Sequence, residues 1–229
     1  MEKTIEIKRE SKKDYAFDEA IKTLRTNIQF SGKQLKVIML TSTHAGEGKS
    51  YISFETACSI CQMGKKVLFI DADIRKSVMM SRYHLDAEVM GLSQYLSGQK
   101  ELKDVLYQTN IENLSVIFSG PYAPNPAELL EDEMFDKMLE TLKKEYDYII
   151  IDTPPVGSVI DGAVIAKNCD GAILVIESGS VSYRIAQKTK SQLEKSGCKI
   201  LGVVMNKINT GKGGYYGSYY GSYYGKYEA

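Results

Sequence analysis

The stretch TSTHAGEGKS, Thr41 to Ser50, sets Gly46, Gly48, Lys49 and Ser50 at the spacing of the second half of a phosphate-binding loop. Such a loop turns successive backbone N–H groups toward a phosphate, and the following helix adds the positive end of its dipole. Thr43, His44, Ala45, Gly46, Glu47, Gly48, Lys49, Ser50 and Tyr51 are therefore the candidate nucleotide contacts. Lys49 would neutralise the outer phosphates, and the Ser50 hydroxyl would ligate magnesium. Thr43 stands where such loops usually carry their first glycine.

Two further stretches carry carboxylates. In VLFIDADIR, Asp71 and Asp73 are separated by one residue, with Arg75 two positions further on. Carboxylates beside a triphosphate repel it unless a cation intervenes, and magnesium takes oxygen ligands while bridging to phosphate. In YDYIIIDTPP, Asp152 closes an apolar run, the place of a Walker B aspartate that holds the metal directly or through water. Together the three stretches predict a site for ATP with Mg2+. Ser50, Asp71 and Asp152 are its candidate metal ligands, and Lys49, Asp71, Asp73 and Asp152 its candidate catalytic residues. Two positions keep two readings each. Arg75 either stabilises developing charge or forms a structural ion pair. Asn206, in VVMNK, either touches the adenine or caps a turn.

These residues need elements that bring them together. Short apolar runs at Leu35–Thr41, Lys66–Asp71, Leu114–Gly120, Tyr148–Asp152, Gly171–Glu177 and Ile200–Asn206 read as buried strands. Helical periodicity separates them, at Asp18–Phe30, Lys49–Met63, through AELLEDEMFDKMLETLKKEY, and at Ser182–Ser196. Continuous apolar strands alternating with helices predict an α/β fold, a mostly parallel sheet covered by helices on both faces. Ligands of such sheets bind at the carboxyl ends of strands, where all three stretches fall. Cys58 and Cys61 form a C-x-x-C, but inside a helical stretch and without a second pair. They read as small buried side chains.

Lys and Arg total 29, as do Asp and Glu, so the charge balance gives no footing for a nucleic-acid partner. No apolar run approaches the roughly 18 residues of a membrane span, and the charged start has no signal-peptide character. A cytoplasmic protein is expected. From Lys207 the composition changes to Gly, Tyr and Ser with a four-residue repeat, which predicts a disordered tail. Seven of the sixteen tyrosines stand there within thirteen residues: Tyr215, Tyr216, Tyr219, Tyr220, Tyr223, Tyr224 and Tyr227.

The combination of EGKS, VLFIDADIRK, SGPYAPNPAELL, YDYIIIDTPPV and the terminal tyrosines resembles the bacterial tyrosine autokinases of capsule and exopolysaccharide synthesis. The likeness is to the cytoplasmic subunit of the two-chain, Gram-positive form, and it covers nearly the whole chain. It implies a P-loop kinase, residues 35–207, that transfers the γ-phosphate of ATP to tyrosines in its own tail, residues 208–229. It implies a membrane adaptor that activates the kinase and recruits it to the inner face of the membrane. It also implies a cognate protein-tyrosine phosphatase and a homo-oligomer, a ring being one form. Residues 1–34 carry the implied subunit contact, Glu19-x-x-Lys22-x-x-Arg25, where lysine replaces an arginine and loses its planar fork. The ATPases of cell division and plasmid partition offer the alternative, a nucleotide switch that drives assembly or partner recruitment. Their signature lysine is replaced here by His44. For the kinase reading, a tyrosine hydroxyl of pKa about 10 must lose its proton during attack. Asp71 is the first candidate to accept it; Asp73 is the second, or serves magnesium instead. A tail of some twenty flexible residues spans roughly 25 Å on average and at most about 65 Å, which favours transfer between subunits.

Overall fold

The computed structural model describes residues 3–9, 15–83, 85 and 89–208. Along the chain the elements are β1 (Lys3–Ile5), α1 (Tyr15–Phe30), β2 (Val37–Ser42), α2 (Lys49–Cys61), β3 (Val67–Asp71) and α3 (Met79–Arg82). Then follow α4 (Leu92–Leu96), α5 (Leu102–Val105), β4 (Leu106–Thr109), β5 (Leu114–Ile117), α6 (Pro126–Glu131) and α7 (Glu133–Leu142). The last are β6 (Tyr148–Asp152), α8 (Asp161–Ala166), β7 (Gly171–Glu177), α9 (Tyr183–Lys195) and β8 (Ile200–Asn206).

The strands form one sheet in the order β1-β4-β5-β3-β6-β2-β7-β8. Neighbours run parallel except β4 and β5, which are antiparallel. In the centre, β3 and β2 are buried along their whole length, which is why their sequences read as unbroken apolar runs. Successive side chains feed opposite faces. Ile38, Leu40, Phe69 and Ile150 join the core that includes residues of α1 and α2, whereas Val37, Met39, Leu68 and Ile151 join the one that includes residues of α6 to α9. Among the described residues no helix is long and apolar enough to cross a membrane.

Three departures from the sequence reading bear on the sheet and its cover. The stretch AELLEDEMFDKMLETLKKEY forms two helices, because Asp132 is extended (φ −68°, ψ 145°) and its carboxylate accepts the Met134 N–H at 2.8 Å, capping α7. Leu106–Thr109 is a strand the sequence reading missed; it pairs antiparallel with β5 and parallel with β1. Lys3–Ile5 is also part of the sheet. Ile5 and Ile7 are buried, and the Asn110 side chain grips the Ile7 backbone at both N–H and C=O. Cys58 and Cys61 are buried and unbridged as expected, with burial pushing the Cys61 thiol up to about 12. The predicted tail tyrosines lie outside the described residues.

Candidate active site

β2, β3 and β6 are adjacent and parallel, so their carboxyl ends deliver the three predicted stretches to one place. Asp71 and Asp152 are register partners at the ends of β3 and β6. The phosphate loop leaves β2 beside them and enters α2 at Gly48, whose φ of 87° is a left-handed conformation that suits glycine. A Cβ at Gly48 would also lie 2.1 Å from the Asn206 amide nitrogen.

Glu47 organises the loop from beneath. It is buried, and its carboxylate accepts from the His44 N–H at 2.7 Å, the Glu177 N–H at 3.1 Å and the Thr43 hydroxyl at 3.3 Å. The end of β8 holds the loop from the other direction. Asn206 donates its amide to the Glu47 carbonyl at 2.8 Å, and the Lys207 ammonium donates to the Gly46 carbonyl at 2.8 Å and to Glu177 at 2.9 Å. A third support is Gly157, where a Cβ would stand 2.2 Å from the Thr43 carbonyl oxygen, so only glycine lets the segment after β6 pack there. With this scaffolding, none of the backbone N–H groups from Gly46 to Ser50 donates to a protein acceptor among the described residues. A set of unpaired donors at a helix start is what an anionic ligand needs.

Beside them lies a cleft of about 460 Å³. Of the predicted nucleotide contacts, Ala45, Gly46, Gly48, Lys49, Ser50 and Tyr51 line it. Thr43 and Glu47 are sealed beneath, His44 is exposed outside it, and Asn206 bonds to the loop itself. Lys49, on the first turn of α2, places its ammonium 2.6 Å from Asp152 Oδ1 and 3.2 Å from the Ser50 hydroxyl, and both members of the ion pair are buried. Ser53, one turn on, sits with its hydroxyl 3.1 Å from the same carboxylate oxygen.

Asp71 is fully buried rather than at the rim of the site. Its carboxylate accepts from the Ser77 hydroxyl and from the Asp73 N–H at 3.2 Å. Burial, reinforced by the neighbouring Asp152, pushes its pKa up to about 7. Asp73 is half-buried and does line the cleft. Arg75 is committed elsewhere: its Nε and Nη2 donate to the buried Asp161 of α8, at 2.6 and 2.9 Å, so the structural reading describes it. Of the three predicted contact residues in α1, Glu19 and Lys22 pair with each other at 2.6 Å on the surface. Arg25 turns inward and donates to the Ser59 carbonyl at 3.0 Å.

Glu47, Ser53, Ser77, Gly157 and Asp161 are the supports that sequence reasoning missed. Glu47 falls within the loop motif and was read as facing the ligand. Nothing in the spacing of Arg75 and Asp161, 86 residues apart, signals their pairing.

The fold and loop match known proteins over most of the chain. The AAA domain family matches residues 35–204. Tyrosine-protein kinase CpsD of Streptococcus agalactiae serotype III (strain NEM316) is 47% identical over 192 residues, covering 84% of this chain and 83% of CpsD. The chain belongs to the bacterial tyrosine-protein kinases. Tyrosine-protein kinase YwqD of Bacillus subtilis (strain 168) is 38% identical over 204 residues, 87% of this chain and 86% of YwqD. The kinase domain of the Escherichia coli tyrosine kinase ETK superposes with a TM-score of 0.80 at 33% identity, covering 83% of this chain and 75% of that one. A chimerical protein, CapA2B2, also reaches 0.80 at 33% identity, over 89% and 93% of the two chains. The septum site-determining protein MinD of Pyrococcus horikoshii OT3, solved with Mg-ADP, gives 0.67 at 24% identity over 77% and 72%, a likeness of fold alone. Kinase family membership accounts for the phosphate loop as a nucleotide site and confirms the capsule-kinase resemblance read from the motifs.

Proposed function

We propose that this kinase transfers the γ-phosphoryl group of ATP to the tyrosines of its own C-terminal cluster. The observation that carries the reading is the tether. Asn206 and Lys207, the last residues before that segment, bond directly to the phosphate loop, so the acceptor segment begins at the edge of the cleft. The twenty-one residues that follow Ile208 can reach a neighbouring copy's site, and the anchored root disfavours the tight reversal needed to enter its own.

The residues fit magnesium as a companion of the nucleotide. Among the described residues no group of three His, Cys, Asp or Glu could hold a metal unaided, whereas Asp71 and Asp152 are buried carboxylates at facing register positions, and Asp152 already holds a cation, Lys49. Ser50, Asp71 and Asp152 would hold the ion together with phosphate oxygens. When bound, it would neutralise charge developing on the transferred group. Lys49 then serves the phosphates, and the loop amides orient them. For the phenolic proton, Asp71 has the proton affinity near neutrality that suits a general base, and Asp73 has access to the cleft. Rate profiles against pH for Asp71→Asn and Asp73→Asn separate the two.

A membrane adaptor that activates the enzyme and recruits it to the inner face of the membrane, a phosphatase that reverses the reaction, and assembly of copies through Glu19, Lys22 and Arg25 complete the proposal. The match to a chimaera named for A and B components supports the adaptor. The reading predicts that a Lys49→Met chain with an intact tail acquires tyrosine phosphate when mixed with an active chain cut after residue 208. Mass spectrometry after incubation with Mg-ATP reads the result. Phosphate confined to active, tailed chains would rule out transfer between copies. None under any condition, with an adaptor fragment present, would favour the nucleotide switch.

A further inference from the structure

Four cations line the cleft. Lys76 and Arg82 are two of them, and both are exposed. Of the other two cations there, Lys49 pairs with Asp152 and is the one assigned to the phosphates, and Arg75 pairs with Asp161. Among the described residues neither Lys76 nor Arg82 forms an ion pair. The main chain of Lys76 is anchored where its backbone N–H donates to the Asp73 carboxylate at 2.9 Å. The Arg82 guanidinium lies 5.5 Å from the centre of the Tyr51 ring, which itself stacks on Phe17 with centres 5.0 Å apart. Between these two cations in sequence, Val78 presents an apolar surface to the same cleft, continued by Pro155 and Val159. Two unpaired cations beside an apolar wall suit an aromatic ring that carries a dianion. Phosphotyrosine is such a group, with about −1.5 to −2 charges at neutral pH.

The chain supplies that ligand through its own reaction. Its tail tyrosines stand in adjacent pairs repeated every four residues. One phosphorylated tyrosine therefore places a phosphate one to four residues, roughly 3 to 14 Å along an extended chain, from the next acceptor. We propose that Lys76 and Arg82 read a phosphate already present on residues 209–229 and hold it while a neighbouring tyrosine enters the cleft. Phosphorylation of the cluster then runs in bursts. Each transfer breaks the bond from the γ-phosphorus to the bridging oxygen of ATP, releasing ADP. It forms a bond to the tyrosine Oη and passes the phenolic proton to a carboxylate. The inference rests on the tail-kinase reading and adds to it an order of events and the residues that impose it.

Intact-mass spectrometry of the full chain during reaction with Mg-ATP tests this. Wild type is expected to show chains with no phosphate and chains with several, with singly modified chains depleted. Lys76→Gln/Arg82→Gln is expected to follow independent statistics, with the first phosphate added within about twofold of the wild-type rate and Mg-ADP affinity unchanged. Tail peptides with and without one phosphotyrosine give a second readout. The wild type should prefer the phosphopeptide about three- to tenfold in kcat/KM at 0.15 M salt, and less at higher salt, as expected for exposed charge pairs. The double variant should show no preference. Equal mass distributions and equal peptide rates in wild type and variant would overturn the inference alone. So would joint loss of the first phosphate and of Mg-ADP binding, which would assign both cations to the nucleotide. Absence of tyrosine phosphate on wild type would overturn the kinase reading and this inference with it.

Discussion

Asp71→Asn should stabilise this protein while disabling it, and the gain should depend on pH in a specified direction. Asp71 is fully buried, abuts Asp152, and has its pKa lifted from 3.8 to about 7. Below pH 4 the carboxyl is protonated in both folded and unfolded chains, so its ionisation costs folding nothing. Between pH 4 and 7 the unfolded chain ionises freely while the folded chain retains the proton, and stability falls as pH rises. Above pH 7 the full cost is present. At about 1.4 kcal/mol per pKa unit it is about 4 kcal/mol at pH 8 and about 2 kcal/mol at pH 5. Asparagine removes the charge but keeps both contacts, because its oxygen still accepts the Asp73 N–H and its amide can donate to the Ser77 oxygen. Urea titrations of the nucleotide-free wild type and variant at pH 5 and pH 8 measure the difference. The variant's advantage should widen by about 3 kcal/mol between the two. An advantage that is constant with pH, or that narrows as pH rises, would refute the claim that burial and Asp152 raise this carboxyl. At pH 8, Mg-ATP should stabilise wild type more than the variant, since a bound cation relieves the repulsion that the substitution has already removed.

Three other outcomes follow from the same geometry. Lys49→Met strips the buried Asp152 of its cation and should cost about 3–5 kcal/mol by urea denaturation, with Asp152→Asn added to it recovering stability but not activity. Arg75→Ala leaves the buried Asp161 without its cation, and because Arg75 is itself partly exposed a loss of about 1–3 kcal/mol is expected, most of it restored by Asp161→Asn; an unchanged melting temperature would deny the pair a structural role. Gly157→Ala drives a methyl group against the Thr43 carbonyl, and calorimetry with Mg-ADP should show at least a tenfold loss of affinity while the circular dichroism of the fold persists.

The sequence alone determined the alternation of buried strands and helices, the phosphate loop between β2 and α2, and the two carboxylate stretches at strand ends. Those features are local: apolar continuity, glycine spacing and the residues flanking a strand record them directly in the chain. Long strands buried on both faces, such as β2 and β3, were therefore legible, whereas the four-residue β4 was not, because its character comes from partners on either side. Asp132 shows the same limit in a helix, where one carboxylate capping its own backbone outweighed an unbroken periodicity. Tertiary structure alone decided which charges meet. It paired Lys49 with Asp152 and Arg75 with Asp161, sealed Asp71 inside instead of leaving it at the rim, turned Glu47 under the loop, and tied Lys207 to Gly46. These pairings span 86 to 161 residues. Electrostatic roles depend on distance and burial, and only the folded chain sets those.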